Sequence, residues 1–339
     1  MLAAFVTRKG GPEVLEIRET TSPEPLPGEV RIQVKAIGLN FADVLARLGV
    51  YTGTPKPPFV PGLEVSGIVE KTGGAAGDLE PGDRVMAVTR FGGHAEQVVV
   101  PARRAVKMPQ GMPFAEGAAF PVNYLSAYHG IVTLAHIQPG ERLLLHAAAG
   151  GVGIATIQLA RRLDAEVFGT AGTDEKVRLV LEQGAAHAIN YREEEFAPRV
   201  RQLTGGYGVD VVMDAVAGKV FEPSWRLLAP MGRYILFGMA SVSGKGGLNY
   251  LRSARQLLAL PRIFPLSLVT ANKTIAGFHL GLLHSGNRYL AAGMKELLSL
   301  YDAGLLRPLV GATFPFERIR DAHFHLQSRA SVGKVVVEV

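Results

Sequence analysis

The sequence has no cysteine among its 339 residues. Disulfide bonds, thiolate nucleophiles and cysteine-ligated zinc sites are therefore excluded. It also has no stretch that approaches the roughly 18 consecutive apolar residues of a membrane-spanning helix. Residues 1–6 run directly into a strand-like pattern and lack the apolar core of a signal peptide, so we predict a cytoplasmic protein.

Acidic residues are missing between Glu222 and Glu296, a stretch that contains nine lysines and arginines. Such a surface suits an anionic cofactor, an acidic membrane surface or nucleic acid, but also an ordinary solvated face, and charge alone does not distinguish them. Within it, residues 248–268 set three arginines among leucines. This segment is compatible with a membrane-facing element, a lid over the substrate or a dimer contact.

The first 120 residues have the pattern of an irregular, mostly β domain. Proline- and glycine-rich turns such as Glu80-Pro81-Gly82-Asp83 separate its apolar stretches. A longer helical run is predicted at residues 115–130. The strands are predicted at residues 3–7, 14–19, 29–37, 67–71, 84–88 and 95–100, and a short helix at residues 40–48.

After Gln138-Pro139-Gly140, short apolar runs alternate with helical patterns. Three leucines at residues 143–145 are typical of a strand buried on both faces. The alternation predicts a doubly wound parallel sheet with helices on both faces. Its further strands are predicted at residues 166–170, 187–190, 210–214 and 233–238, and helices at 154–163, 175–183, 196–203, 221–228 and 286–303. A last strand at residues 333–339 is compatible with a return to the first domain.

A turn of small residues follows the three leucines and reads Ala148-x-Gly150-x-x-Gly153, with alanine in the first glycine position. Gly150 would let the backbone approach a dinucleotide pyrophosphate, and Gly153 would let the next helix pack closely on the strand. The N–H groups of that helix start would face the phosphates. A plain tight turn is the competing interpretation, but the flanking strand and helix favour the cofactor.

Six motifs occur along the chain, namely Gly38–Asp43, Gly49–Tyr51, Pro61–Gly67, His146–Gly153, Gly184–Tyr191 and Ser328–Ser331. Together they resemble the zinc-independent quinone oxidoreductases of the medium-chain dehydrogenase/reductase superfamily, which include ζ-crystallin. The resemblance implies a GroES-like catalytic domain (residues 1–123), a Rossmann domain (124–285) and a return to the catalytic domain (286–339). It also implies a homodimer whose sheets pair near residues 274–278. Residues 271–281 resemble the branch that includes the synaptic-vesicle membrane protein.

The zinc alcohol dehydrogenases differ from this chain at their metal site. They have a cysteine near the position of Asn40 and Gly-His-Glu where this chain has Gly62-Leu63-Glu64. A catalytic zinc needs three protein ligands with nitrogen or sulfur donors among them. We therefore predict no metal, and a structural role for Glu64.

Cofactor preference is indicated after the second strand of the alternating region. NAD-selective sites usually have an acid about 20 residues beyond the glycine turn, whereas the strand here runs into Gly172 and Thr173 without one. Lys176 and Tyr191 match family positions that contact the 2′-phosphate, so NADPH is predicted. Asp174 and Glu175 remain an alternative, because either could reach the ribose.

The remaining cofactor contacts are implied by the resemblance. They comprise the glycine turn, a helix hydroxyl near the nicotinamide, the end of the fifth strand, the segment that receives the carboxamide and a carboxyl-terminal arginine. For several of them a purely structural role is equally compatible with the sequence. These residues are Ala149, Gly150, Gly151, Val152, Gly153, Ser126, Phe237, Gly238, Met239, Phe278, His279, Leu280 and Arg329.

For the substrate we single out Asn40, Tyr51 and Asp43. Asn40 would donate a hydrogen bond to a carbonyl that gains charge as hydride arrives, or cap the following helix. Tyr51 would do the same or stack on a planar ring, while Asp43 fits a loop-fixing role better. We predict an NADPH-dependent reductase of a quinone or similar conjugated carbonyl. The alternatives are an enone, enal or enoyl-thioester reductase, and an NADPH-binding protein with little catalysis at membranes or on RNA.

Overall fold

The computed structural model describes residues 1–242, 263–283 and 288–339. Within them lie two large sheets and a small β1–β2 pair. The strands of the first domain are β1 (Leu2–Val6), β2 (Leu15–Glu19), β3 (Glu29–Leu39), β4 (Glu64–Thr72), β5 (Arg84–Val88), β6 (Gln97–Pro101) and β7 (Ala105–Lys107). The later strands are β8 (Arg142–Leu145), β9 (Glu166–Ala171), β10 (His187–Asn190), β11 (Val209–Asp214), β12 (Leu228–Leu236), β13 (Thr274–Gly277), β14 (Val310–Pro315) and β15 (Lys334–Glu338).

The helices connect these strands, and several of them cover the parallel sheet. They are α1 (Phe41–Arg47), α2 (Phe114–Gly117), α3 (Pro121–Tyr128), α4 (Gly151–Arg162), α5 (Asp174–Glu182), α6 (Phe196–Leu203), α7 (Phe221–Leu227), α8 (Pro265–Ala271), α9 (Arg288–Asp302) and α10 (Ile319–Gln327). The single helical run predicted at residues 115–130 was wrong. The chain forms α2, then α3 with Pro121 at its first turn, and passes into a π-helical turn at His129–Leu134, because proline can begin a helix but cannot continue one.

The second sheet has six strands in the order β10-β9-β8-β11-β12-β13, and every pairing in it is parallel. Leu143 and Leu145 pack into one apolar cluster with α4, while Leu144 packs into another with α6 and α7. Alternate side chains of a strand point to opposite faces, so both faces of this sheet are covered. The doubly wound parallel sheet is confirmed.

The first sheet has seven strands and is mostly antiparallel. Its order is β14-β15-β3-β4-β5-β7, and β6 pairs with β3 outside this path. The final strand β15 pairs antiparallel with β3, so this sheet joins the two ends of the sequence. Gly333 also forms a parallel bridge with Gly150 of the glycine turn. The last segment therefore touches both sheets.

Two predictions concern surfaces. Strand β13 lies at one edge of the parallel sheet. In the predicted homodimer, the sheet of the second protomer would pair at this edge. The homodimer itself stays a prediction. The basic segment at residues 248–268 lies largely outside the described residues. Among the helices in the described ranges, none has both the length and the apolarity needed to cross a bilayer.

Candidate active site

The glycine turn lies between β8 and α4 and leaves no room for side chains. A Cβ on Gly153 would lie 2.3 Å from the Ala148 carbonyl oxygen, and one on Gly151 would lie 2.4 Å from Nδ2 of Asn123. Gly150 is the N-cap of α4. The first N–H groups of a helix have no partner within it and carry partial positive charge. This turn has the geometry expected of a pyrophosphate-binding site.

Two cationic side chains, Lys176 and Arg192, lie near the end of β9. A Cβ on Gly172 would lie 2.6 Å from Oη of Tyr191, so glycine lets this phenol approach the strand end, and Nε of Arg192 lies 3.5 Å from the same position. Burial, and then the charge of Arg192, lowers the pKa of Lys176. The structure thus brings together the predicted residues Gly172, Tyr191 and Lys176 and adds Arg192, which the sequence analysis missed.

The acids next to Lys176 are engaged elsewhere. Asp174 accepts a hydrogen bond from Nδ2 of Asn190 at 2.8 Å. Glu175 lies 3.7 Å from Nη2 of Arg178 on the exposed side of α5. Thr173 caps α5, because its hydroxyl oxygen accepts from the Lys176 N–H at 3.3 Å. Both acids therefore have contacts within the protein.

The carboxyl-terminal segment 329–334 crosses this region. Nζ of Lys176 donates to the carbonyl oxygens of Arg329 at 2.8 Å and of Ser331 at 2.7 Å. The Arg329 backbone is left-handed, with φ of 62°, and its Nη2 donates to the Ala240 carbonyl at 2.8 Å. Gly333 N–H donates to the Ala149 carbonyl at 2.8 Å. The segment therefore connects the cationic strand end with the glycine turn.

The predicted nicotinamide end is built from the chain after β12 and β13. The rings of Phe237 and Phe278 stack with centroids 5.6 Å apart and planes 8° apart. Gly238 follows, and a Cβ there would lie 2.6 Å from the Ala215 carbonyl oxygen. Met239 is half-buried beside it, and Ser126 is buried on α3. Contacts of these residues with a cofactor stay predictions.

Tyr51 lies next to the predicted nicotinamide end of the cofactor site. Its ring lies 4.8 Å from that of His279, centroid to centroid, and a Cβ on Gly281 would lie 2.8 Å from its Oη. Leu280 begins a short turn at Leu280–Leu282. A small cleft lies here, lined by Tyr51, Thr52, Leu63, Thr89, Arg90, Phe91, His279, Gly281 and Leu282. Tyr51 and His279 thus share one wall between the two domains.

Asn40 and Asp43 lie elsewhere, inside the loop at the start of α1. Asp43 is fully buried, and its two oxygens accept from the backbone N–H groups of Asn40 at 2.8 Å and Gly62 at 3.2 Å. Burial raises the pKa of Asp43 to about 7. The Asn40 amide donates to the Gly38 carbonyl and to Glu64, each at 3.2 Å. Both of its N–H groups are therefore occupied, and a direct contact of Asn40 with substrate stays a prediction.

A buried ion pair completes this loop. Nζ of Lys334 lies 2.5 Å from Oε2 of Glu64 and 2.8 Å from Oδ1 of Asn40, and the two charged side chains are 3% and 0% exposed. The other oxygen of Glu64 accepts from the Val122 N–H at 2.7 Å. We call Asn40, Asp43, Glu64 and Lys334 the paired cluster. Lys334 was missed because it comes from β15, 294 residues away from Asn40.

The residues at this position do not fit a zinc ion. Leu63 has no donor atom, the chain has no cysteine, and Glu64 is bonded to Lys334. Across the described ranges, histidines, aspartates and glutamates form no cluster of three that could hold a metal. His323 is buried and His325 is half-buried on α10, consistent with the different helix faces expected for residues two apart.

The structure joins a parallel sheet, whose first strand leads into a glycine turn, to a mostly antiparallel domain, and the two share a cleft. This arrangement is typical of dinucleotide-dependent oxidoreductases of two domains. Two family descriptions match the chain. They are an alcohol dehydrogenase GroES-like domain over residues 26–110 and a zinc-binding dehydrogenase over residues 183–337.

The chain belongs to the medium-chain dehydrogenase/reductase superfamily, close to the synaptic-vesicle and quinone oxidoreductase-like members. It is 36% identical over 324 residues to the human synaptic vesicle membrane protein VAT-1 homolog, covering 95% of this chain and 82% of that protein. The NADPH complex of Escherichia coli quinone oxidoreductase has a similar structure (TM-score 0.89, 31% identity, 100% of both chains). The CurK enoyl reductase is also similar (TM-score 0.84, 29% identity, 99% of this chain and 98% of that one).

Proposed function

We propose that the protein is an NADPH-dependent, zinc-independent reductase that transfers a hydride to a quinone or a similarly conjugated carbonyl compound. The observation that carries the proposal is the cationic strand end, where Gly172 admits Tyr191 and where Arg192 and Lys176 lie close by. Cations that lie beyond the second Rossmann strand, without a free acid, suit a 2′-phosphate. The NADPH complex of the similar E. coli enzyme supports this choice.

The cofactor would lie along the carboxyl edge of the parallel sheet. The first-turn N–H groups at Gly151, Val152 and Gly153 would bind the pyrophosphate, and Lys176, Tyr191, Arg192 and Arg329 would bind the adenosine end. The backbone of Phe278–Leu280 would bind the carboxamide. NADPH, when bound, supplies the hydride.

Tyr51 is the polar side chain that would orient the acceptor in the cleft. Burial, and then the charge of Asp43, raises the pKa of Tyr51 to about 12, so the phenol stays protonated at neutral pH and acts as a donor. A phenol O–H that meets a carbonyl oxygen favours the state in which that oxygen gains charge. Leu63 and Phe91 provide an apolar wall for a planar ring. A quinone needs little acid catalysis beyond this, because its reduced anion is stabilised and takes a proton from water.

The cofactor preference is tested by comparing NADPH and NADH oxidation in wild type and Lys176→Gln. Losing one charge-assisted contact with the phosphate should raise the KM for NADPH about tenfold, equal to about 1.4 kcal/mol, and leave the KM for NADH within twofold. Arg178→Gln, on the same helix but 65% exposed, is the matched control. Equal losses for both cofactors, or a wild-type preference for NADH, would contradict the NADPH assignment.

The acceptor is tested with a panel of quinones, enones and enoyl thioesters at saturating NADPH. We expect turnover of quinones that Tyr51→Phe lowers by about 10-fold or more, since one donor to the developing oxyanion is lost. Turnover confined to enones or enoyl thioesters would establish the second candidate, which the likeness to the CurK enoyl reductase favours. Tight NADPH binding without turnover of any acceptor would instead indicate a cofactor-binding protein.

A further inference from the structure

Arg90 is the one charged side chain on the described lining of the cleft. The other lining groups are apolar or neutral, namely Tyr51, Thr52, Leu63, Thr89, Phe91, His279, Gly281 and Leu282. Burial lowers the pKa of His279, which keeps its ring uncharged at neutral pH. Arg90 is exposed at the mouth. The Arg90 guanidinium therefore lies beside the site proposed for the uncharged ring of the acceptor.

The backbone leaves room for this guanidinium. Gly53 lies opposite, with φ of 79°, and a Cβ there would lie 3.2 Å from Nη2 of Arg90. Over the described ranges, no aspartate or glutamate forms an ion pair with Arg90. After burial, the charges of Arg103 and then Arg90 lower the pKa of Arg104, so further positive charge stands nearby.

Two acids near the cleft have other partners. Asp43 accepts hydrogen bonds from backbone N–H groups, and Glu64 is bonded to Lys334. Neither forms an ion pair with the exposed guanidinium of Arg90. A weakly hydrated planar guanidinium of this kind binds carboxylates, sulfonates and phosphates with two parallel hydrogen bonds, and a positive mouth also raises the rate at which anions arrive.

We propose that the physiological acceptor carries an anionic group, which Arg90 binds at the mouth of the cleft while the conjugated carbonyl lies beside Tyr51. This inference rests on the proposed reductase function and narrows its substrate to acidic quinones or enones. The cofactor does not compete for Arg90, because its own proposed phosphate contacts lie on α4, α5 and the strand ends of the parallel sheet.

The test compares 1,4-naphthoquinone with its 2-sulfonate at saturating NADPH. For wild type, Arg90→Gln and Arg90→Lys, the measured quantity is kcat/KM for the sulfonate divided by kcat/KM for the parent quinone. Dividing this ratio by its wild-type value removes the intrinsic difference in electrophilicity between the two compounds. We expect this normalised ratio to fall about tenfold in Arg90→Gln. It should fall less in Arg90→Lys, which keeps the charge but loses the bidentate contact.

Arg226→Gln is the control, because Arg226 is 73% exposed on α7 and pairs with Glu222. It should leave the ratio unchanged. The wild-type ratio should also fall as ionic strength rises. A ratio that is equal in wild type and Arg90→Gln would overturn this inference and leave the reductase proposal intact. Failure of wild type to reduce either quinone or any other acceptor would overturn both.

Discussion

Two groups of buried polar side chains each include a residue of helix α1, Asp43 in one and Arg47 in the other, and they are stabilised in different ways. In the paired cluster, the Lys334 ammonium lies between Glu64 and Asn40, and both oxygens of Asp43 accept hydrogen bonds. The second group contains Arg47, His94, His323 and Gln327, all buried. We call it the histidine cluster.

Several buried polar atoms of the histidine cluster have no hydrogen-bond partner within the described residues. Arg47 donates from Nη2 to Gln327, while its Nε and Nη1, and both ring nitrogens of His94 and His323, have no hydrogen-bond partner within the described residues. The two imidazoles meet edge to face with centroids 5.1 Å apart. Burial lowers the pKa of Arg47 to about 10 and that of His94 to about 3, and lowers that of His323 well below its usual range.

The difference shows two ways in which buried titratable groups are accommodated. Opposite charges and hydrogen bonds compensate each other in the paired cluster, so its members depend on one another. In the histidine cluster, desolvation instead keeps the rings neutral, so its stability depends on the proton concentration. Three perturbations distinguish the two clusters, and their expected effects on stability decrease in the order Lys334→Met, Gln327→Leu and acidification by one pH unit.

Lys334→Met should have the largest effect. It leaves Glu64 buried without its counter-charge, which typically costs about 3–5 kcal/mol of unfolding free energy. Urea denaturation measures the loss. The double variant Glu64→Gln/Lys334→Met removes both charges and should regain most of it. If the single and double variants are equally unstable, the pairing does not explain the loss.

Gln327→Leu should have the next largest effect. It removes the acceptor of the Arg47 Nη2 group, and hydrogen bonds to charged groups contribute about 1.5–3 kcal/mol. The same denaturation experiment applies. His325→Gln, two residues earlier on α10 and only half-buried, is the matched control and should change stability by less than about 0.5 kcal/mol. An equal effect of the two substitutions would contradict the role assigned to Gln327.

Acidification by one pH unit should have the smallest effect. The unfolded chain binds protons at its histidines below about pH 6.5, whereas the folded chain keeps His94 and His323 neutral, so these two groups lower the stability as the pH falls. Asp43 offsets part of this loss, because its pKa is raised to about 7 and the folded chain takes up a proton there first. Each histidine contributes up to about 1.4 kcal/mol per pH unit between about pH 6.5 and 5. Unfolding free energies measured across this range should show the slope.

His323→Phe is the variant that assigns this slope to the cluster. It removes one proton site while keeping a ring of similar size against His94. The dependence of stability on pH should become shallower by about 1.4 kcal/mol per unit. An unchanged slope would mean that other groups cause the acid sensitivity.

The sequence allowed the parallel sheet and its glycine turn to be predicted because their signals are local. A single strand-turn-helix unit contains Leu143–Leu145, Gly150 and Gly153 within a short stretch of the chain. Lys176 and Tyr191 were also predicted, but through the family resemblance. Arg192 was missed, although it directly follows Tyr191, because an arginine at the start of a turn has no distinctive pattern.

The paired and histidine clusters could not be predicted in the same way. Lys334 reaches Asn40 across 294 residues, and Arg47 reaches Gln327 across 280. No periodicity in the sequence encodes such contacts, which arise only once β15 and α10 have packed on the first domain. Asn40 was correctly located at the start of a helix, but its use of both N–H groups inside the loop depends on Glu64 and Gly38.

The pairing of β15 with β3 affects when the first sheet can be completed during synthesis. The residues of β3 are made early, but a strand that pairs with them is made almost 300 residues later. At about 5–20 residues per second, the ribosome needs about 15–60 s to make that intervening chain. The parallel sheet, whose strands lie between the two, can therefore form first. The domain that is begun first is completed last.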